Sequence, residues 1–524
     1  MAENEFVPPK VNIWIIALSV ALATFMEVLD TSIASVALPH ISGGLGASVD
    51  EGNWVLTSYL VANAVILPVG SWASSVLGRK NFFLICIAIF TVSSFLCGIA
   101  PTLPLLLFFR VLQGAGGGGL VPLSQAILFD TFPPAKHGQA FAFFGIVAVL
   151  APSVGPTLGG WITDSFSWRW IFFINIPVGI AALILNYRLL EDPPTSRGDR
   201  RNLARIDTIG FGLLALGMGA LQVTLDKGEE KGWFDSNYIV AFAITAAVSL
   251  LALFVWEWRH PDPLIKVKLI RHRNFAASCV LMFLLGCVLN SGVNLLPLLQ
   301  QSLFGYTATL AGLSVTAAGV SMIFLFALAG NLTKVFQVRY LAAFGFITMA
   351  AGYYITAMRI VPQASFETFE WLRIYQVFGL AFLFTSITTG AYLGLPAGES
   401  NQISGITNLM RNIGGSASIS ICNAVVTERA QFHQSRLGGH LTASNGALRG
   451  DMMGRVQHFI HSGFNQVRAV RMAFGSVGRQ LAGQTHTQAY ADVYLGLAGV
   501  CIVGIAGVFF LIGNKPGEGE VHGH

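Results

Sequence analysis

Charge is scarce in this chain. Lys plus Arg number 31 and Asp plus Glu 26 among 524 residues, so only 11% of positions are charged, against about 25% in an average soluble domain. A soluble fold of this length needs far more polar surface. The 54% hydrophobic content also excludes a disordered chain. The excess of five bases is small and does not gather into one patch, which argues against a nucleic-acid partner. Cysteine is rare as well. Cys86, Cys97, Cys279, Cys287, Cys422 and Cys501 all fall in apolar runs, without CxxC or zinc-type spacing, so neither a disulfide framework nor a metal site is indicated. His433, His440, His458 and His461, with His522 and His524 in the tail, do not have metal-ligand spacing with a carboxylate either. No glycine-rich loop ends in the GK[ST] of a nucleotide-binding site, and no convergent nucleophile or metal set suggests an enzyme.

What the chain has in abundance is long apolar runs. Fourteen of them lie near 13–37, 53–72, 82–100, 103–129, 138–163, 170–187, 206–225, 237–256, 274–299, 308–331, 340–358, 371–395, 404–427 and 490–513. Each approaches the roughly 20 apolar residues that span a bilayer as a helix. Only Lys10 precedes the first run. That run is too long for the core of a cleavable signal and is interrupted by acids, so it is expected to stay as a spanning helix. With the N-terminus in the cytoplasm, the inner segments hold 17 Lys and Arg. The short outer loops hold five: Arg169, Lys227, Lys231, Arg359 and Arg373. That bias places both termini inside. Arg110 and Arg411 fall within helices and stay out of the tally.

The spans group as six, two and six. Residues 1–190 are expected to form one six-helix bundle and 191–205 a basic cytoplasmic linker. Residues 206–258 supply two inserted helices, and 259–524 a second six-helix bundle, as in a duplicated transporter. The second bundle includes a long outer segment, 428–489, rich in Gln, His, Arg, Gly and Ser. Its mixed three and four spacing of apolar residues predicts amphipathic helices on the membrane surface or against a partner, with a folded cap as the alternative.

Helix one carries Glu27 and Asp30, one turn apart on one face. A carboxylate there costs at least about 2.5–3.5 kcal/mol if it meets lipid, so it must face a wet cavity, a partner or a proton. A group that can take a proton on one side and release it on the other suits coupling to a proton gradient. Static packing of Asp30, or an outer-water position for Glu27, is the competing reading. Helix four holds Arg110 and Gln113, then GAGGGG at 114–119. Arg keeps its charge, so Arg110 near Asp30 would make an ion pair that proton binding loosens. Helix five reads APSVGPTLGGW, where Pro152 and Pro156 remove backbone donors. Gly155, Gly159 and Gly160 form a small-residue seam there. Asn290, Asn294, Gln300, Gln301, Asn408 and Arg411 could line a substrate cavity, or simply bond across helices.

The strings LDTSIASVALP (29–39), RVLQGAGGG (110–118), APSVGPTLGG (151–160) and WRWIFFINIPVG (168–179) make the family recognisable. The chain resembles the major facilitator superfamily, and within it the 14-helix drug:proton antiporters of the EmrB/QacA type, on the EmrB side. The resemblance implies an all-α membrane protein of the major facilitator fold. It implies that Asp30, Arg110, Gln113 and Gly114 match motifs tied to proton transfer, while Glu27 rests on the physical argument alone. Pro152, Gly155, Pro156, Gly159 and Gly160 match the motif associated with exporters. Gly78, Arg79 and Lys80 match the end of a cytoplasmic motif used as a conformational latch. Departures are Ser32 and Ser35 for the usual Thr and Asn, Ser71 for Gly, and Ser75 where many members have the Asp of the latch.

The expected function is therefore proton-coupled export of amphipathic or apolar drug-like compounds from the bacterial inner membrane, with a proton gradient in place of any cofactor. The resemblance also implies a tripartite pump, with an EmrA-like periplasmic adaptor and a TolC-like outer-membrane channel, contacted through 428–489. Export of one metabolite, lipid or siderophore on the same fold is the alternative.

Overall fold

The structure is a computed structural model that describes residues 11–191, 207–395, 397–439, 441 and 446–513. The expected linker therefore lies almost wholly outside the described residues, as do His440 and the terminal histidines.

The first half comprises α1 (Ile13–Leu45), α2 (Val49–Leu77), α3 (Arg79–Ile99), α4 (Leu103–Gly117), α5 (Leu120–Thr131), α6 (His137–Ser165), α7 (Trp170–Phe173) and α8 (Asn175–Leu189). An inserted pair, α9 (Thr208–Lys227) and α10 (Asn237–Arg259), follows. The second half comprises α11 (Arg273–Leu303), α12 (Ala308–Leu332), α13 (Val338–Arg359), α14 (Phe366–Val377), α15 (Leu380–Tyr392), α16 (Ser400–Gly438), α17 (Gly446–His461) and α18 (Gln466–Val508). Thirteen described spans are long and apolar enough to cross a membrane. The fourteenth run is α16, whose polar residues lower its hydropathy, yet it packs on α11 and α18 inside the bundle.

Packing repeats between the halves. Helix α1 lies on α6 and α8 as α11 lies on α16 and α18, and α3 lies on α4 and α8 as α13 lies on α14 and α18. The halves meet through α6 with α12 and α2 with α16, and the α9–α10 pair attaches to α2 and α16. The fourth span of each half is interrupted at a glycine, Gly118–Gly119 and Phe378–Gly379, where the backbone keeps right-handed helical angles.

Helix α6 explains its own proline motif. Pro156 has no N–H, so the Pro152 carbonyl lacks its helical donor. Ser32 Oγ on α1 donates to that carbonyl at 3.2 Å. Gly155 makes the approach possible, since a Cβ there would stand 2.6 Å from Ser32 Cβ. The WRW string acts at the outer end. Arg169 Nη1 donates to the Gly98 and Ala100 carbonyls at 3.0 and 2.7 Å, closing the C-terminus of α3.

The outer segment departs from the surface-lying helices expected. Helix α16 runs on to Gly438, and α18 begins at Gln466, ahead of its apolar run. At 1.5 Å per residue, the 43 residues of α18 extend about 65 Å, roughly twice the hydrocarbon core. The segment therefore projects as continuations of spanning helices, with α17 packed along α18. Arg455 ties the two, donating to Ser476 Oγ at 3.1 Å and Gln480 Oε1 at 2.7 Å. At the base, Asp492 accepts from Arg429 Nε at 2.6 Å and lies 2.7 Å from His433 Nε2.

Candidate functional site

Five helices converge on Asp30. Arg110 Nη1 donates to Oδ2 at 2.7 Å, while Gln113 Nε2 and Asn175 Nδ2 donate to Oδ1 at 2.9 and 2.6 Å. Ser94 Oγ accepts from Asn175, and Val55 O accepts from Arg110 Nε. The Tyr59 ring lies under the guanidinium at 4.3 Å. Asp30 and Arg110 are 2% and 0% exposed. Of the three expectations for a carboxylate in helix one, Asp30 therefore fulfils that of a partner: both its oxygens are bonded and it is shut off from water. Gly114, one residue on from Gln113, lets α4 approach α2, with its missing Cβ 3.0 Å from Ala62 Cβ.

Glu27 sits one turn away in a different setting. Tyr59 Oη and Asn63 Nδ2 donate to Oε1 at 3.2 and 3.0 Å, whereas Oε2 is buried without a partner. Arg411 of α16 is the cation whose field reaches Glu27 from the second half. Its guanidinium rests 5.9 Å from the Phe384 ring centroid. A carboxylate with one unpartnered oxygen, within the field of a cation of the other half, can respond both to a proton and to separation of the halves.

The polar residues considered for a cavity are not brought together. Asn290 bonds its own helix at Gly286 O and covers Gly415. Asn294 and Gln301 are exposed and donate to the Asn290 and Pro297 carbonyls. Gln300 is buried and accepts from Ser314 Oγ, joining α11 to α12. Asn408 bridges the halves, donating to Gln125 Oε1 at 2.6 Å. Of the six, Arg411 is the one whose charge reaches Glu27.

At the cytoplasmic end, Gly78 joins α2 directly to α3 at φ +84°, a conformation that favours glycine. Arg79 then pairs with Asp130, at the end of α5, so the latch has an acid although Ser75 is not one. Arg79 Nη2 also donates to Ser400 Oγ of the second half at 3.1 Å, and Ser400 Oγ donates to Asp130 at 3.1 Å. Asn401 Nδ2 to Ser74 Oγ (2.9 Å) and Gln139 Nε2 to Asn331 Oδ1 (2.8 Å) add further cross-links between halves. Lys80 lies over the Tyr187 ring. The cytoplasmic end is closed by this network. Asp130→Asn removes the acid that pairs with Arg79, so a cysteine placed at Ser404, buried just behind the network, is expected to react with a cytoplasmic maleimide on the order of 10-fold faster. The six native cysteines are buried and give a low background.

Gly160 and Gly159 belong to the seam but face different ways. Gly159 meets Ile33 of α1, and Gly160 meets Thr309 of α12 across the divide. Sequence reasoning missed Tyr59, Asn63, Asp130 and Ser400 as site residues. It quoted Asn175 as part of a motif without placing it beside Asp30. It also counted Arg373 as a loop base, whereas Arg373 lies within α14 and is 3% exposed.

Comparison with known proteins agrees with this architecture. The family model described as Major Facilitator Superfamily matches residues 20–419. The multidrug export protein EmrB of Haemophilus influenzae is 39% identical over 82% of this chain and 84% of its own length. EmrB of Escherichia coli is 35% identical over 97% and 98%. The human organic anion transporter MFSD10 superposes with a TM-score of 0.59 over 95% of this chain and the whole of its own, at 13% identity, which speaks to the fold alone.

Proposed function

This chain belongs to the Major Facilitator Superfamily as an EmrB-like multidrug exporter, and we propose that protons taken up and released at Glu27 drive its outward transport of amphipathic or apolar compounds. The observation that carries the reading is that Glu27 is buried with one oxygen bonded and the other without a partner, within reach of the Arg411 charge. Ionised, Glu27 attracts Arg411 and holds α1 toward α16. Protonated, it loses that attraction, so α1 and α16 can part. Asp30 stays paired with Arg110 and keeps the first half rigid while this exchange takes place.

In proteoliposomes holding purified protein, an imposed pH gradient is expected to drive accumulation of a lipophilic dye on one side, and a protonophore to abolish it. Accumulation that survives the protonophore would refute proton coupling.

The reading extends to a bacterial inner membrane and a tripartite pump with an EmrA-like periplasmic adaptor and a TolC-like outer-membrane channel. The projecting helices favour it, because they present Val467, Phe474 and Met453 at 63–70% exposure beyond the membrane, an arrangement that calls for a protein cover. Deleting 446–461 is expected to leave dye transport in vesicles intact and to abolish cross-linking of a cysteine at Phe474 to a co-expressed adaptor. Unchanged cross-linking would overturn the assignment of this contact.

A further inference from the structure

Arg373 is buried in the second half at the place that Arg110 occupies in the first. Each lies on the fourth span of its half, seven residues after that span's first helical residue. Each donates through Nη1 to a Gln three positions later, Gln113 at 2.8 Å and Gln376 at 3.1 Å. The repeat of Arg-x-x-Gln is visible in the sequence once the halves are superposed.

The surroundings differ in charge. Arg110 has Asp30 from α1. From α11, the counterpart of α1, Arg373 meets Gly292, at which a Cβ would stand 3.0 Å from Nη1. Among the described residues Arg373 forms no ion pair, and the ionisable groups that face it are Tyr353 and Tyr494. Its Nε is buried without a hydrogen-bond partner, and the Tyr494 hydroxyl, beside Gln376, donates to no atom of the described residues, while Tyr353 Oη donates to Val288 O at 2.6 Å. A full charge 97% removed from solvent is costly unless an anion balances it. Two free donors beside that charge have the chemistry of an anion site.

We infer that Arg373 and Tyr494 bind a monovalent anion, a halide or the carboxylate of an organic compound, which supplies to the second half the negative charge that Asp30 builds into the first. The anion accepts hydrogen bonds from Arg373 Nε and Tyr494 Oη. It lies about 10 Å along α14 from its outer end. The site does not depend on what drives export, so its failure and that of proton coupling are separable.

The test is thermal unfolding of the purified full-length protein in nanodiscs at constant ionic strength. Sodium isethionate is exchanged for sodium chloride in one arm and for sodium benzoate in the other, up to about 300 mM. Binding is expected to raise the melting temperature by about 2 °C or more. A response to chloride alone supports an inorganic occupant, and a response to benzoate alone an organic carboxylate. Arg373→Gln is expected to fold, because it removes an unbalanced charge, and to lose the response. Tyr494→Phe deletes the second donor and is expected to raise the half-saturating concentration about 10-fold. No response to either anion in the wild type overturns the proposal, as does a response that persists unchanged in Arg373→Gln.

Discussion

Glu27→Gln is expected to yield a folded protein whose drug-evoked proton release falls to baseline and whose gradient-driven transport drops about 5–150-fold. The substitution is nearly isosteric. The glutamine oxygen can still accept from Tyr59 Oη and Asn63 Nδ2, which now donate to Oε1 at 3.2 and 3.0 Å. The amide nitrogen replaces Oε2, which has no partner to lose. Packing and unfolding temperature should therefore stay close to wild type. What disappears is the ability to change charge, and with it the attraction to Arg411 across the halves. Cargo binding, measured by tryptophan quenching, is expected to survive, since the substitution keeps the shape of the side chain and its bonds to Tyr59 and Asn63. Normal proton release from Glu27→Gln on drug addition would show that another group carries the proton.

How far the sequence alone reached differs between levels. Fourteen apolar runs translate almost directly into spanning helices, because burial in lipid demands length and apolarity and little else. Motifs that depend on backbone approach were also legible. Gly155 opposite Ser32 needs only that a Cβ would not fit. Pairings between helices distant in sequence were legible only where two charges needed each other. Asp30 with Arg110 could be suspected because both are charges placed in lipid-facing sequence, where each needs the other. Nothing in spacing distinguished Asp30, enclosed by Gln113 and Asn175, from Glu27, left with one free oxygen. That difference arises from how α4 and α8 press on α1. Asp130 escaped notice because it ends an apolar run and reads as a surface acid until Arg79 folds onto it. Arg373 was misread for the same reason, since its place near the start of a run made it look like a loop base. In the outer segment the described residues are largely helical. Its direction was missed, because local periodicity cannot tell a helix lying on a membrane from one that continues out of it.

Asp30→Asn is expected to act in the opposite way to Glu27→Gln: the protein should lose about 3–5 kcal/mol of stability, the usual cost of breaking a buried ion pair from one side. Three donors point at the Asp30 carboxylate, from Arg110, Gln113 and Asn175. An asparagine would set its own N–H groups against one of them and leave the Arg110 charge, 0% exposed, without a counter-ion. Transport will fall in this variant too, so transport alone cannot separate a proton carrier from a structural pair. Unfolding can. The double variant Asp30→Asn/Arg110→Gln removes the stranded charge and is expected to regain most of the lost stability, giving a coupling energy of a sign and size that two independent sites would not show. Without such recovery, or with Asp30→Asn as stable as wild type, the Asp30–Arg110 pair is not what holds the first half together. In that case its opening would have to be counted as part of the transport cycle, and Glu27 would share the proton with Asp30.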